Sequence, residues 1–184
     1  AAPASNSGDG SAKPPARGLP FMMMMAAGYE KETESGYEKS TKIAGNPGLE
    51  KWNSENKDSE YECFYTGPAS TSDEAGEAQI VQDMLSRPDT AAIAISPSNA
   101  PLIAQTIRTA NPSIPVMTID AGLTKEDASL RKTYLGTDNY LMGKRIGDYI
   151  KKSKPNGGKV CFIEGNPAAD NILRRAQGAR DSLS

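Results

Sequence analysis

The fold is decided by residues 91–120, which read AAIAISPSNAPLIAQTIRTANPSIPVMTID. Two continuous apolar runs, AAIAIS and PVMTID, flank a segment with helical spacing, PLIAQTIRTAN. Continuous apolar runs are typical of parallel strands that are buried on both faces. Proline suits the first turn of a helix, so Asn99 or Ala100 is expected at the helix N-cap. This stretch therefore predicts a strand–helix–strand unit with parallel strands.

The same alternation continues on both sides of this unit. Strands are predicted from YECFYTG at 61–67, TYLG at 133–136 and the apolar run KVCFIEG at 159–165. Helices are predicted at 74–86, 139–152 and 170–183. The N-cap of the first is expected within 70–73 and that of the second at Asp138 or Asn139. The main apolar positions of the helix at 139–152 are Leu141, Ile146 and Ile150. The predicted fold class is α/β: a doubly wound parallel sheet forming a Rossmann-like lobe, plus the start of a second, similar lobe.

The first 40 residues have a different composition. Residues 1–20 are rich in Ala, Pro, Ser and Gly, which predicts a disordered tether. Residues 21–26, FMMMMA, are interpreted as a short apolar plug, too short to span a membrane. The near-repeat GYEKETES–GYEKSTKI at 28–43 is interpreted as linker. The run TKIA at 41–44 is the candidate for the opening strand of the sheet.

The predicted organisation has three parts. Residues 1–40 form a disordered or extended leader, residues 41–136 form the first lobe, and residues 137–184 form the crossover and the start of a second lobe that is expected to be incomplete.

Composition excludes several functions. The net charge is −2, with no concentrated basic face, which argues against nucleic acid as a partner. No apolar run is long enough for a transmembrane segment. The sequence has no histidine, which removes imidazole metal sites and Ser-His-Asp triads. We therefore predict a protein that is not an enzyme and has no catalytic residues, no metal and no cofactor.

Two cysteines, Cys63 and Cys161, each lie in an apolar run. Buried free thiols are the favoured interpretation, and pairing in an exported protein stays open as the alternative.

Small polar residues follow the predicted strands. In open parallel sheets, ligands bind at the carboxyl ends of the strands. Ser96 and Asn99 follow the first apolar run, Asp120 follows the second, and Asn171 lies beyond the third. Hydroxyl, amide and carboxylate groups without a nucleophile–base pair suit the recognition of ligand hydroxyls rather than catalysis.

The order and spacing of three segments, IAISPSNAPLIAQTIRTANPSIPVMTIDAGL, YLGTDNYLMGKRIGDYI and GGKVCFIEGNPAADNILRRAQG, resemble the type I periplasmic-binding-protein family, in particular its ribose- and sugar-binding members. The resemblance covers about residues 61–184. It implies two Rossmann-like lobes that close on a small sugar-like ligand and present it to an ABC permease or a receptor. It also implies a periplasmic or otherwise exported protein.

The resemblance also implies ligand contacts. Asp120 matches the acidic residue that binds sugar hydroxyls, and Ser96, with Asn99 close behind, matches a polar position after the central strand. Asn46 in GNPGLEKW resembles the first binding loop, with Trp52 as a candidate stacking platform. Asn171 lies near the binding position of the second lobe.

Two residues depart from the pattern of ribose binders. Ala121 and Leu173 stand where ribose binders carry arginine. The segment Thr137–Asn139 matches the crossover between lobes and is interpreted as hinge and helix cap.

Two functions remain open. The first is a solute-binding protein that captures a small sugar-like ligand for import or sensing by hinge closure. The alternative is a non-catalytic interaction or scaffold subunit that docks onto a host protein complex with a remnant of this fold. The polar strand ends favour the first, whereas the long polar leader and the short opening strand favour the second.

Overall fold

The computed structural model of the protein describes residues 21–25, 48–68, 70 and 72–184. Within these residues, strands and helices alternate as predicted for an α/β fold. The strands are β1 (Phe21–Met25), β2 (Ala92–Ser96), β3 (Val116–Ile119) and β4 (Thr133–Leu135). The helices are α1 (48–55), α2 (Glu74–Ser86), α3 (Ala100–Ala110), α4 (Asn139–Ser153) and α5 (Asp170–Leu183), with a 3-10 turn at Ala128–Leu130.

The four strands form one parallel sheet in the order β1-β2-β3-β4. Strand β2 is paired on both sides and buried, as its continuous apolar sequence predicted. Its Ile93 and Ile95 pack with Val81 of α2 and with Ile103 and Ile107 of α3 to form the core. The core therefore lies between the sheet and the two helices that flank β2 in sequence.

The predicted helix caps are confirmed at three positions. Asp73 accepts a hydrogen bond from the Gly76 amide at 2.8 Å. Asn99 caps α3 through the Leu102 amide at 3.0 Å, and Asp138 caps α4 through the Leu141 amide at 3.0 Å. Each cap satisfies an amide that the first turn of a helix leaves without a partner. Two of these caps, Asn99 and Asp138, directly follow the sheet and fix where the chain leaves it.

The segment FMMMM forms strand β1 of the sheet, so its interpretation as a plug in the leader was wrong. Residues Phe21–Met25 pair in parallel with Ala92–Ser96 along all five positions of β2. The run is apolar enough to lie beside a buried strand, and it supplies the backbone partners that one side of β2 requires. The other residues of the 1–40 segment, and the TKIA run at 41–44, lie outside the described residues.

Two of the strand predictions were wrong. Residues 61–67 form no strand, and both backbone groups of Cys63 bond to the Asn53 side chain at 2.7 Å. Residues 159–163 also form no strand, with Ile163 94% exposed and Cys161 exposed rather than buried. An apolar run becomes a strand only beside another strand, and within the described residues none lies beside this segment.

Helices α4 and α5 pack through glycine rather than through the predicted apolar positions. A Cβ at Gly143 would collide with the Arg175 carbonyl oxygen, and a Cβ at Gly178 would collide with that of Tyr140. Leu141 and Ile146 instead remain 41% and 43% exposed. Among the described residues, no helix combines the length and the apolar surface that a membrane crossing requires.

Candidate functional site

A cleft of about 600 Å³ opens at the carboxyl ends of β2 and β3. It is bounded by the loop after β2, the residues after β3, the segment before α5 and the first turns of α2 and α5. The lining residues are Ser72, Glu74, Ser96, Pro97, Ser98, Asp120, Ala121, Gly165, Asn166, Pro167, Ala169, Asn171 and Ile172. Since parallel strands end at one edge of a sheet, residues far apart in sequence meet here.

Asp120 stands at the end of β3 with its side chain exposed to the cleft. Its φ of 57° is left-handed, a conformation that Asp and Asn tolerate better than other side chains. The Asp120 amide donates to the Leu135 carbonyl at 3.0 Å, and its carbonyl accepts from the Tyr134 hydroxyl at 2.7 Å. The backbone is thus fixed on both sides, which holds the carboxylate in place.

Asn171 faces Asp120 across the cleft from the first turn of α5. Its amide nitrogen donates to the Asp120 carboxylate at 3.3 Å, and its side-chain oxygen accepts from the Ile172 amide at 2.8 Å. Among the described residues, no other side chain is seen to bond to the Asp120 carboxylate. A carboxylate in this arrangement is available to a hydroxyl donor.

Ser96 at the end of β2 and Ser98 in the loop after it contribute to the cleft wall, and both are nearly buried. Asn99 does not line the cleft, because its side-chain oxygen caps α3 and its amide donates to Glu74 at 2.6 Å. The predicted residues Ser96, Asp120 and Asn171 are therefore brought together, while Asn99 lies behind them.

Glu77 lies beneath this loop and is fully buried. Its carboxylate accepts hydrogen bonds from the Ser98 amide, at 3.1 and 3.3 Å, and from the Ser98 hydroxyl. Burial raises the pKa of Glu77 to about 7, although both Ser98 bonds oppose the shift. Nearby Glu74 adds a smaller rise through charge repulsion.

The segment before α5 is bound to the loop after β2. Asn166 donates to the Ser98 carbonyl at 3.0 Å and, more weakly, to Glu74 at 3.4 Å. The Ala100 amide, at the start of α3, donates to the Ala168 carbonyl at 3.2 Å. These bonds close one side of the cleft.

The crossover residues hold a second, smaller polar pocket of about 270 Å³ beside the cleft. The single hydroxyl hydrogen of Tyr134 is shared between the Asp120 carbonyl and the Thr137 carbonyl, the latter at 2.9 Å. Asn139 accepts from Arg175 of α5 at 2.7 Å. Burial raises the pKa of Asp170, which also lines this pocket, while Arg174 and Arg131 oppose the shift. These contacts join the predicted crossover to α5.

Two predicted residues of the first binding loop, Asn46 and Trp52, remain to be placed. Asn46 lies outside the described residues. Trp52 lines a separate apolar pocket with Ala91 and Ala92, at the amino end of β2 and so at the opposite edge of the sheet from Ser96. The interpretation of Trp52 as a stacking platform for the same ligand is therefore corrected.

Glu74 and Glu77 were missed by the sequence analysis. Both lie in the first turn of a predicted helix, where acidic residues are ordinarily solvated. A signal did exist for Glu77, which lies four residues before Val81 and seven before Met84 and therefore on their face of the helix. Among the described residues, no group of three Asp, Glu, Cys or His side chains is arranged to hold a metal ion.

The chain has a Rossmann-like fold with a polar cleft at its strand ends. Comparison with known proteins agrees. The periplasmic binding protein domain model matches residues 17–184. The ribose import binding protein RbsB of Salmonella typhimurium is 32% identical over 111 residues, which are 60% of this chain and 36% of that protein. The protein of the same name from Escherichia coli is 31% identical over the same length.

Solved structures share the fold. A solute-binding protein from Agrobacterium vitis with bound D-fucose has a TM-score of 0.69 at 20% identity, over 88% of this chain and 52% of that one. The glucose-galactose binding protein GanP from Geobacillus stearothermophilus has a TM-score of 0.68 at 20% identity, over 90% and 54%. Because the family model matches residues 17–184, the chain belongs to the periplasmic binding protein domain family. It matches about a third of the length of its curated relatives and about half of its structural neighbours.

Proposed function

We propose that this chain forms one side of a sugar-binding site and captures a small sugar-like ligand, without catalysing a reaction on it. The observation that carries this proposal is the convergence of Asp120, Ser96 and Asn171 on one cleft at the strand ends. Within the described part of the chain, the lining side chains offer carboxylate, hydroxyl and amide groups and include no Lys or Arg. Such a set suits an uncharged polyhydroxylated molecule better than an anion.

Transport is the proposed setting. The curated relatives are named as ribose import binding proteins, and the A. vitis neighbour is a solute-binding protein of an ABC transporter. We infer that the whole protein is periplasmic or otherwise exported and delivers its ligand to an ABC permease or a receptor by hinge closure. Ala121 lies beside Asp120 in the cleft, and Leu173 is 43% exposed; neither supplies the arginine of ribose binders, which favours a sugar other than ribose.

The test is replacement of Asp120 in the full-length protein. Asp120→Ala leaves ligand hydroxyls unpaired in a closed site and is expected to cost ~1.5–3 kcal/mol, or roughly 10- to 150-fold in affinity. Asp120→Asn should cost less, since the amide keeps one acceptor and also tolerates the left-handed backbone. Titration calorimetry with pentoses, hexoses and polyols measures both.

The control is an exposed carboxylate in the chain's polar loop after β3. Glu126 is exposed, so Glu126→Gln should leave affinity unchanged. Asp127 would be a poor control, because it pairs with Arg108 and Thr124. Equal affinity in the natural protein and Asp120→Ala would contradict the assignment of Asp120.

A scaffold function is the second candidate. It is favoured by the exposed apolar surface of α4, where Leu141, Met142 and Ile146 are each 41–43% exposed and Tyr149 is 71% exposed. Surfaces of this kind mark interaction sites. If no sugar gives heat of binding in a folded, full-length protein, the transport function is wrong and the scaffold function is favoured.

A further inference from the structure

Glu77 is a buried acid that does not line the ligand cleft but bonds to a residue that does. It is fully buried in the first turns of α2, while Ser98 lies on the cleft wall. Both the amide and the hydroxyl of Ser98 donate to its carboxylate. Burial favours the protonated form of Glu77, and these two bonds oppose it by stabilising the carboxylate.

Within the described part of the chain, the surroundings of Glu77 contain one other charge. Glu74, one turn earlier on α2, repels it. Strand β2 and residues 97–99 contribute only apolar, hydroxyl and amide groups, and the segment at 165–169 contains no ionisable side chain. The charged residue of α3, Arg108, lies in the last turn of that helix and pairs with Asp127. The chain also has no histidine, the residue that ordinarily titrates near neutral pH.

The protonation state of Glu77 changes what Ser98 can offer to a ligand. The ionised carboxylate is acceptor-only, so the Ser98 hydroxyl donates its hydrogen to Glu77 and presents only lone pairs to the cleft. The protonated acid still accepts from the Ser98 amide, but its own hydrogen is donated to the Ser98 oxygen. The hydroxyl hydrogen of Ser98 is then released to donate into the cleft.

We propose that Glu77 is a positioning residue that sets whether Ser98 donates or accepts a hydrogen bond in the sugar cleft. This inference rests on the proposed function. Asp120 and Glu74 only accept, and Asn166 uses both of its amide hydrogens within the protein. The Ser96 hydroxyl and the second amide hydrogen of Asn171 remain as donors, and Ser98 in its donating state adds one more. Sugar ring and hydroxyl oxygens need donors, so the donating state of Ser98 binds a sugar more tightly.

Calorimetry at pH 5.5 to 8.5 tests the proposal on the full-length protein with D-arabinose, D-fucose, D-glucose and D-ribose as probes. The natural protein should lose about 5- to 10-fold in affinity as the pH rises, which corresponds to one hydrogen bond. In Glu77→Gln the amide donates to the Ser98 hydroxyl at every pH, so its affinity should stay at the low-pH value. The sugar affinity of Ser98→Ala should also be independent of pH, and it should equal the weaker affinity that the natural protein shows at high pH. Glu126→Gln, an exposed replacement, should follow the natural protein.

A second measurement does not depend on any ligand. The amide resonance of Ser98 should shift with a midpoint near pH 7 in the natural protein and stay constant in Glu77→Gln. A constant Ser98 amide, an affinity with the same pH dependence in Glu77→Gln, or tighter binding at high pH would each overturn the proposal alone. If no sugar binds at any pH, the proposed function is wrong and this inference is overturned with it.

Discussion

Two carboxylates near the cleft occupy opposite environments. Asp120 is exposed on a left-handed backbone and keeps acceptor positions available, whereas Glu77 is fully buried and uses its oxygens within the protein. The first role follows from sequence, because a residue directly after a buried parallel strand lies at the ligand edge of the sheet. The role of Glu77 does not follow from the sequence, because it depends on how α2 is rotated against the loop after β2.

Glu77 should make stability depend on pH. Its pKa is raised from 4.5 to about 7 in the folded chain, so the folded state binds more protons than the unfolded state between these values. The stabilisation is complete below about pH 4.5 and is lost as the pH rises through about 7. Glu77→Gln removes this dependence. The free energy of unfolding of Glu77→Gln, minus that of the natural protein, should therefore rise by about 3 kcal/mol between about pH 4.5 and about pH 8.

Urea unfolding at several pH values measures this difference. Glu126→Gln is the matched replacement, since Glu126 is exposed, and its stability should parallel that of the natural protein. A constant difference between Glu77→Gln and the natural protein across this range would show that Glu77 titrates at an ordinary pKa.

At the scale of elements, helices α2 to α5 and strands β2 to β4 could be predicted, while helix α1 and strand β1 could not. The helices carry their own signals in caps and spacing, as Asn99 and Asp138 show. A strand is defined by its neighbours, so the apolar runs at 61–67 and 159–163 were assigned wrongly and the run at 21–25 was not recognised as β1. Their sequences did not indicate which segment would have a partner.

The packing of α4 on α5 depends on Gly143. Its backbone approaches the Arg175 carbonyl so closely that a methyl group would collide with it. Gly143→Ala should separate the two helices and lower the free energy of unfolding by about 1–3 kcal/mol, even though alanine favours helix. Denaturant unfolding measures the loss.

Gly48→Ala in α1 is the matched control. Within the described part of the chain, no atom lies within 4 Å of a Cβ at Gly48, so this replacement should be neutral or stabilising by up to about 1 kcal/mol. Equal stability of Gly143→Ala and the natural protein would mean that α4 and α5 do not pack as described.

At the scale of the whole molecule, the cleft depends on bonds between distant parts of the chain. Residues that were predicted to start a second lobe form hydrogen bonds to residues of the first. Asn166 donates to Ser98, and Asn171 donates to Asp120. Arg175 of α5 donates to Asn139 at the crossover. The sequence predicted that polar strand ends would meet, because a doubly wound sheet gathers them at one edge. It could not predict which amide would join which carbonyl, since that depends on how α5 is placed.

Asn166 is the residue on which this junction most depends. Its side chain donates to the Ser98 carbonyl and to Glu74, and its oxygen accepts from the Ala168 amide at 2.8 Å. Asn166→Ala removes all three bonds and releases one wall of the cleft. Hydrogen exchange of the Ala168 and Ala100 amides should become about 10-fold faster or more. This corresponds to a fall of about 1.4 kcal/mol in the free energy of local opening.

The same replacement should weaken sugar binding by about 5- to 30-fold, because the ligand must then order a wall that the natural protein holds in place. Most of the loss should appear as faster dissociation. Asn156→Ala is the control, since Asn156 is exposed in the turn after α4 and does not line the cleft. Faster exchange without weaker binding would show that residues 165–169 are only a structural support. Unchanged exchange would show that Asn166 does not hold this wall.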